Sequence, residues 1–159
     1  MYNITQASVV DAEKILALQK TAYQSEARIY NDWTLPPLTQ SLASLTAEFT
    51  DYIILKAVDD DRIIGSVRAK SDGTLCMIGK LIVHPDYQRQ GLGSSLLHHI
   101  EMCFPLATRF ELFTGSKSSG NIRLYEKNGY VITGTQSLSP AVSLIYLEKQ
   151  RLKAPTAQG

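Results

Sequence analysis

The stretch "HPDYQRQGLGSSLLHHIE", residues 84–101, places a proline and a run of polar residues ahead of two glycines and then a helical pattern. The apolar strand "GKLIV", 79–83, leads into it. From Gly93 onward, Leu96, Leu97, Ile100, Cys103 and Phe104 recur on one helical face until Pro105 stops the helix. The order is therefore strand, glycine loop, helix. A helix N-terminus exposes unpaired N–H groups and the positive end of its dipole, which suits phosphate. Gly91 and Gly93 let the backbone approach an anion, and Arg89 adds a mobile positive charge.

Two other phosphate loops are excluded by spacing. A dinucleotide fingerprint needs a third glycine, but Gly91-Leu92-Gly93-Ser94-Ser95 is followed by Leu96, and no βα alternation continues from it. "GSKSSGNI", 115–122, has two glycines at P-loop spacing, but Asn121 and Ile122 replace the required Lys and Ser/Thr.

Working outward, "YNITQA" has strand character, and Ser8-Val9-Val10-Asp11 resembles a capping box that opens a helix through Val9, Ala12, Ile15, Leu16, Ala22 and Tyr23. The pattern breaks around "RIYNDWTLPPLTQ", where two prolines open a second helix through Leu38, Leu42, Leu45 and Phe49. "YIILKAV", "RIIGSVRAK" and "TLCMIGKLIV" read as three hairpin-linked strands, turning at Asp59–Asp61 and Asp72-Gly73. After the glycine-loop helix come the strand "RFELFTG", a short helix in "SSGNIRLYEKNGY" that leaves through Asn128-Gly129, and the strands "YVITG" and "AVSLIYLEK". This is a mixed α/β single domain over residues 1–149, followed by a polar tail, 150–159.

At 159 residues the chain suffices for one core. A net charge of +1 gives no reason to expect a nucleic-acid or membrane partner. Cys76 and Cys103 lack metal-type spacing and read as small buried hydrophobes. His98 and His99 are adjacent on a helix, so they point about 100° apart and cannot share a metal. His84 reads as a surface residue, and no metal site is expected. The N-terminus lacks a signal-peptide pattern, so a cytoplasmic location is expected.

Two motifs carry a family resemblance. Leu81-Ile82-Val83-His84-Pro85 followed by Gln88-Arg89-Gln90-Gly91-Leu92-Gly93 resembles the acetyl-CoA signature of GCN5-related N-acetyltransferases, the GNAT family. "NIRLYEKNGYVITG", 121–134, resembles that family's second motif, with Tyr130 for the usual Phe and a shorter gap from Asn121 to Tyr125. The likeness follows element order over residues 1–149 and is specific within 78–131.

The resemblance implies a mostly antiparallel mixed sheet that splays after the fourth strand, with coenzyme A in the gap. It places the pantetheine amides on the backbone of Leu81, Ile82 and Val83, and the pyrophosphate on Gln88, Arg89, Gln90, Gly91, Leu92, Gly93 and Ser94. Asn121 is a further polar contact to the cofactor. The implied reaction is direct attack of a small-molecule or peptide amine on acetyl-CoA, with no covalent enzyme intermediate. The Val83 N–H would stabilise the oxyanion and Tyr125 would protonate the leaving thiolate; a core aromatic is the other reading of Tyr125. A homodimer is compatible with the resemblance. A CoA-binding domain without turnover is the alternative function.

One departure concerns the general base. Many relatives carry an acid on the fourth strand, where this chain has Gly79 and Lys80, and no carboxylate occurs between Gly73 and Asp86. The base is then a held water or a residue of the first helices, Glu26 or Asp32. Lys80 reads either as a solvated strand lysine or as a ligand for a substrate carboxylate. Tyr30, Asp32 and Trp33, in the loop between the first helices, read either as an aromatic wall with one anion for a cationic amine or as aromatics folded onto the core.

Overall fold

A computed structural model describes residues 2–151. Most of the expected polar tail, from residue 152 onward, lies outside the described residues.

β1 (Asn3–Gln6) opens the sheet, followed by α1 (Ala12–Ala22), α2 (Gln24–Tyr30), α3 (Pro36–Thr39) and α4 (Leu42–Glu48). Next come β2 (Ile53–Asp59), β3 (Arg62–Asp72) and β4 (Leu75–Val83). Then follow α5 (Leu92–Met102), β5 (Arg109–Gly115), α6 (Ser119–Lys127), β6 (Val131–Ser137) and β7 (Ser143–Gln150). The seven strands form one sheet in the order β1-β2-β3-β4-β5-β7-β6.

Local chemistry accounts for the joints. Asp60 and Asp61 both take positive φ, 50° and 68°, so a tight two-residue turn joins β2 to β3. Gly73, at φ 63°, serves the next hairpin, and Gly129, at φ 95°, ends the α6 segment. At the first helix, the Asp11 carboxylate accepts the Ser8 N–H at 3.0 Å, as the capping-box reading requires. Val9 nevertheless faces solvent, because residues 9–11 form a 3-10 turn ahead of α1 rather than part of its apolar face.

The helix expected through Leu38 to Phe49 is two pieces. Gln40 and Ser41 interrupt it, and the Ser41 hydroxyl accepts the Ser44 N–H at 3.0 Å as the cap of α4. Only Leu45 of that series is buried.

Two cores flank the sheet. The larger lies under α5 and α6, where Leu92, Leu96, Leu97 and Ile100 meet Val67, Ile78, Phe110 and Tyr130. The smaller lies under α1 and α4, around Ile15, Leu45 and Ile54. Cys76 is buried and Cys103 partly so, both as free thiols.

β4 and β5 run parallel and pair over only three positions, Leu75 to Met77 against Arg109 to Glu111. Beyond these β4 continues to Val83 and β5 to Gly115, each held only by its other neighbour. The sheet therefore opens into a wedge at its centre.

Candidate active site

The wedge is shaped by a bulge. Gly79 pairs with Arg68 and Ile82 with Ser66, so Lys80 and Leu81 together oppose Val67. Lys80 takes φ 53° to absorb the extra residue. Past the bulge, the His84 N–H donates to the Ile64 carbonyl at 2.8 Å. Alternation along the strand then turns the Val83 N–H away from β3, toward the wedge.

A groove of about 540 Å³ follows the wedge. Leu81, Ile82 and Val83 line it, as do Gln88, Arg89, Gly91, Leu92, Gly93 and Ser94 of the loop, and Asn121. Gln90 is outside that lining.

The two loop glycines differ in purpose. Gly91 sits at φ 83°, in the left-handed region, with open space where a Cβ would be. Gly93 has ordinary φ, and a Cβ there would lie 3.0 Å from Leu124 Cδ2 of α6. Gly93 is thus a packing glycine between two helices, whereas Gly91 sets the loop's conformation.

On the far wall, α2 and α6 are tied by a relay. The Lys117 N–H donates to the Tyr30 hydroxyl at 2.9 Å, and that hydroxyl lies 3.0 Å from Ser118 Oγ. Ser118 Oγ donates to Glu26 Oε1 at 2.8 Å, and Asn121 Nδ2 donates to the same oxygen at 3.2 Å. Glu26 is the only acid lining the groove among the described residues, against four cations: Arg89, Lys117, Arg123 and Lys127.

Other candidates stand elsewhere. Tyr30 is not a loop residue: it closes α2 and is buried behind the relay. Asp32 is half-buried and off the groove, and its carboxylate accepts the Thr34 hydroxyl at 2.6 Å and N–H at 2.8 Å, which hold it below the usual carboxylate range. Trp33 is exposed and off the groove, so these three build no common wall. The turn after α2, with Asn31 left-handed, and the Thr34 bonds point the segment outward. Lys80 is half-buried rather than solvated, and burial lowers its pKa, with the Arg68 charge adding to the effect.

Tyr125 belongs to the main core, its ring 6.1 Å from that of Tyr130, and does not line the groove. Burial raises its phenol pKa, with Tyr23 and Glu26 pushing the same way. It therefore stands close behind groove residues and holds its proton at neutral pH.

Sequence reading missed Tyr23, Lys117, Ser118, Arg123 and Lys127 as groove residues. The basic pair 123 and 127 was findable, being four apart on the α6 pattern and so on one helix face. Tyr23 gave no such signal, since it fits the apolar periodicity of α1.

The model of a GNAT acetyltransferase domain matches residues 50–132. Solved structures share the fold. The PaiA N-acetyltransferase of Thermoplasma acidophilum, in complex with coenzyme A, is 18% identical with a TM-score of 0.78, covering 94% of this chain and 99% of that one. The ribosomal-protein-S18-alanine N-acetyltransferase of Escherichia coli is 16% identical with a TM-score of 0.79, covering 100% and 99%. YncA of Salmonella typhimurium, a putative acetyltransferase with acetyl-CoA, is 22% identical with a TM-score of 0.72, covering 99% of each. UPF0157 protein YqkA of Bacillus subtilis (strain 168) is 24% identical over 143 residues, 87% of this chain. The chain spans 41% of the length of that curated relative.

Proposed function

Since the chain belongs to the GNAT acetyltransferase family, we propose that it moves the acetyl group of acetyl-CoA to a primary amine of a small molecule or peptide. The reading is carried by the wedge: a strand edge at Leu81 to Val83, turned to a groove that ends on a glycine loop before a helix. The residues present fit acetyl-CoA. Gly91 leaves open space beside the first turn of α5, and four cations in the groove suit its phosphates. The neighbours solved with coenzyme A or acetyl-CoA support the same cofactor. Acetyl-CoA supplies an activated thioester carbonyl.

The chain's residues supply the rest. Leu81, Ile82 and Val83 offer backbone for strand-like pairing, and Gln88 to Ser94 offer amides and Arg89 for phosphate. Val83 presents an N–H donor for negative charge developing on an oxygen. Glu26, fixed by Ser118 and Asn121, is the groove's proton acceptor for an incoming ammonium. Tyr125, kept protonated by burial, is the proton donor behind the wall. The acceptor attacks directly, with no covalent intermediate on the chain.

Release of free thiol from acetyl-CoA, followed across a panel of amines and peptides, tests this reading. Amine-dependent release with an N-acetyl product supports it. Coenzyme A binding without amine-dependent release favours a non-catalytic CoA-binding domain.

A further inference from the structure

The relay on the far wall starts from a group that can only donate. The Lys117 N–H gives its proton to the Tyr30 oxygen at 2.9 Å. Ser118 spends its single hydroxyl proton on Glu26 Oε1 at 2.8 Å. Across the 3.0 Å contact between the two hydroxyls, the Tyr30 phenol is therefore the donor and Ser118 Oγ the acceptor. The reverse direction would leave the phenol proton without an acceptor, at a residue only 7% exposed. Polarity runs one way, from the Lys117 amide through Tyr30 and Ser118 to Glu26.

Ser118 gives up an ordinary role to take this place. It is the N-cap of α6, where a serine hydroxyl usually accepts an N–H of the helix's first turn. Here the hydroxyl makes no such bond and turns to Glu26 instead. A serine kept only to start the helix would cap it.

Glu26 is left asymmetric. Its Oε1 accepts both the Ser118 hydroxyl and the Asn121 amide, at 2.8 and 3.2 Å. Its Oε2 has no hydrogen-bond partner among the described residues, and it is not sealed in. Among those residues, the one buried side-chain polar atom without a partner is Arg68 Nε. A proton added to Oε1 would meet two donors already aimed there. The oxygen open to a proton is therefore Oε2, on a carboxylate that lines the groove.

We propose that Ser118, backed by Tyr30, is a positioning residue for acetyl transfer, holding Glu26 Oε1 so that Oε2 alone receives the acceptor's proton. This rests on the reading of Glu26 as proton acceptor and adds the two residues that aim it. As the ammonium N–H bond breaks, an O–H bond forms at Oε2. The freed amine keeps its electron pair for the thioester carbonyl.

A double-mutant cycle tests this. The Glu26→Gln protein keeps an oxygen that accepts the Ser118 hydroxyl but loses the basic one, so any packing role of Ser118 survives in it. In the parent, Ser118→Ala should lower kcat/KM for an aliphatic amine at pH 7 about tenfold or more, with the KM for acetyl-CoA unchanged. Tyr30→Phe should lower it about threefold, and should add nothing to Ser118→Ala. In Glu26→Gln, neither change should alter the residual rate by as much as about twofold. Rates are taken per acetyl-CoA site titrated by calorimetry, so partial unfolding does not mimic the result. Ser118→Ala that lowers the rate by the same factor in both backgrounds, or in neither, overturns the positioning role and leaves acetyl transfer standing. A Glu26→Gln protein as active as the parent overturns the proton-acceptor reading, and this inference falls with it.

Discussion

The Tyr30 hydroxyl fills the place where a side chain at residue 115 would be: a Cβ on Gly115 would lie 1.9 Å from it. That fit lets Tyr30 accept the Lys117 N–H and reach Ser118, which in turn fixes Glu26. Gly115→Ala must evict the phenol from a packed site, at a cost of about 1–3 kcal/mol. Tyr30→Phe keeps the ring and strands the Lys117 N–H, costing about 1 kcal/mol. Urea unfolding measures both, and a Gly115→Ala protein as stable as the parent contradicts the packing described.

The loop glycines should separate by experiment. Gly91→Val forces a β-branched residue into left-handed backbone, a penalty of roughly 1–2 kcal/mol that falls on the loop. Acetyl-CoA affinity should drop about tenfold or more, with the core still folded. Gly93→Val instead pushes on Leu124 and should lower the unfolding midpoint as well as the affinity. Calorimetry paired with thermal unfolding distinguishes the two, and identical behaviour of both variants argues against the division of labour.

For the proton acceptor, Glu26→Gln should lower kcat/KM for an aliphatic amine about 100-fold at pH 7 and leave acetyl-CoA affinity nearly unchanged. Asp32→Asn, altering a turn carboxylate off the groove, should match the parent. In the Glu26→Gln protein the rate at sub-saturating amine should rise about tenfold per pH unit, following the free amine of pKa near 10. A parent protein with that same rising profile would leave deprotonation to solvent.

Tyrosine titration gives a pH prediction with a definite sign. Burial pushes Tyr23 up to about 12, with Glu26 adding to it, and raises Tyr125 as well. In the unfolded chain both phenols titrate near 10. The folded form thus holds protons that the unfolded form releases. Their contribution to stability is complete below about pH 10 and declines as pH rises above it, that of Tyr23 being lost by about pH 12. The unfolding midpoint should fall across that window, and less steeply in Tyr23→Phe. Catalysis should show no loss at pH 10 traceable to Tyr125. Tyr125→Phe should nonetheless reduce turnover about tenfold or more with little change in acetyl-CoA affinity. Unchanged turnover, with chemistry rate-limiting, returns Tyr125 to a packing role.

Much of the fold was legible because its signals are local. Asp60-Asp61 and Asp72-Gly73 mark hairpins by their own backbone preferences, and the Leu96, Leu97, Ile100 face declares α5. The break at Ser41 was less visible, since the apolar spacing runs on through it while the hydroxyl caps a new helix. The loop half of the site was equally legible, because a glycine loop before a helix is one contiguous segment. The far wall was not. Tyr30, Ser118 and Glu26 lie up to 92 residues apart, and only packing reveals that they touch. The buried Arg68, which donates to Glu48 and Gln19 of other elements, was hidden for a similar reason, since a lone arginine in a strand reads as surface until its neighbours are known.

Whether the β4 edge facing the wedge is where acetyl-CoA binds is answered most directly by amide hydrogen exchange at single-residue resolution. The Val83 N–H faces the wedge, whereas the next amide, His84, is already bonded to Ile64 at 2.8 Å. Adding acetyl-CoA without an acceptor should slow exchange at Val83 and across Gly91 to Ser94, with far less change at His84. Saturating acetyl-CoA that leaves Val83 exchanging as before would contradict the account.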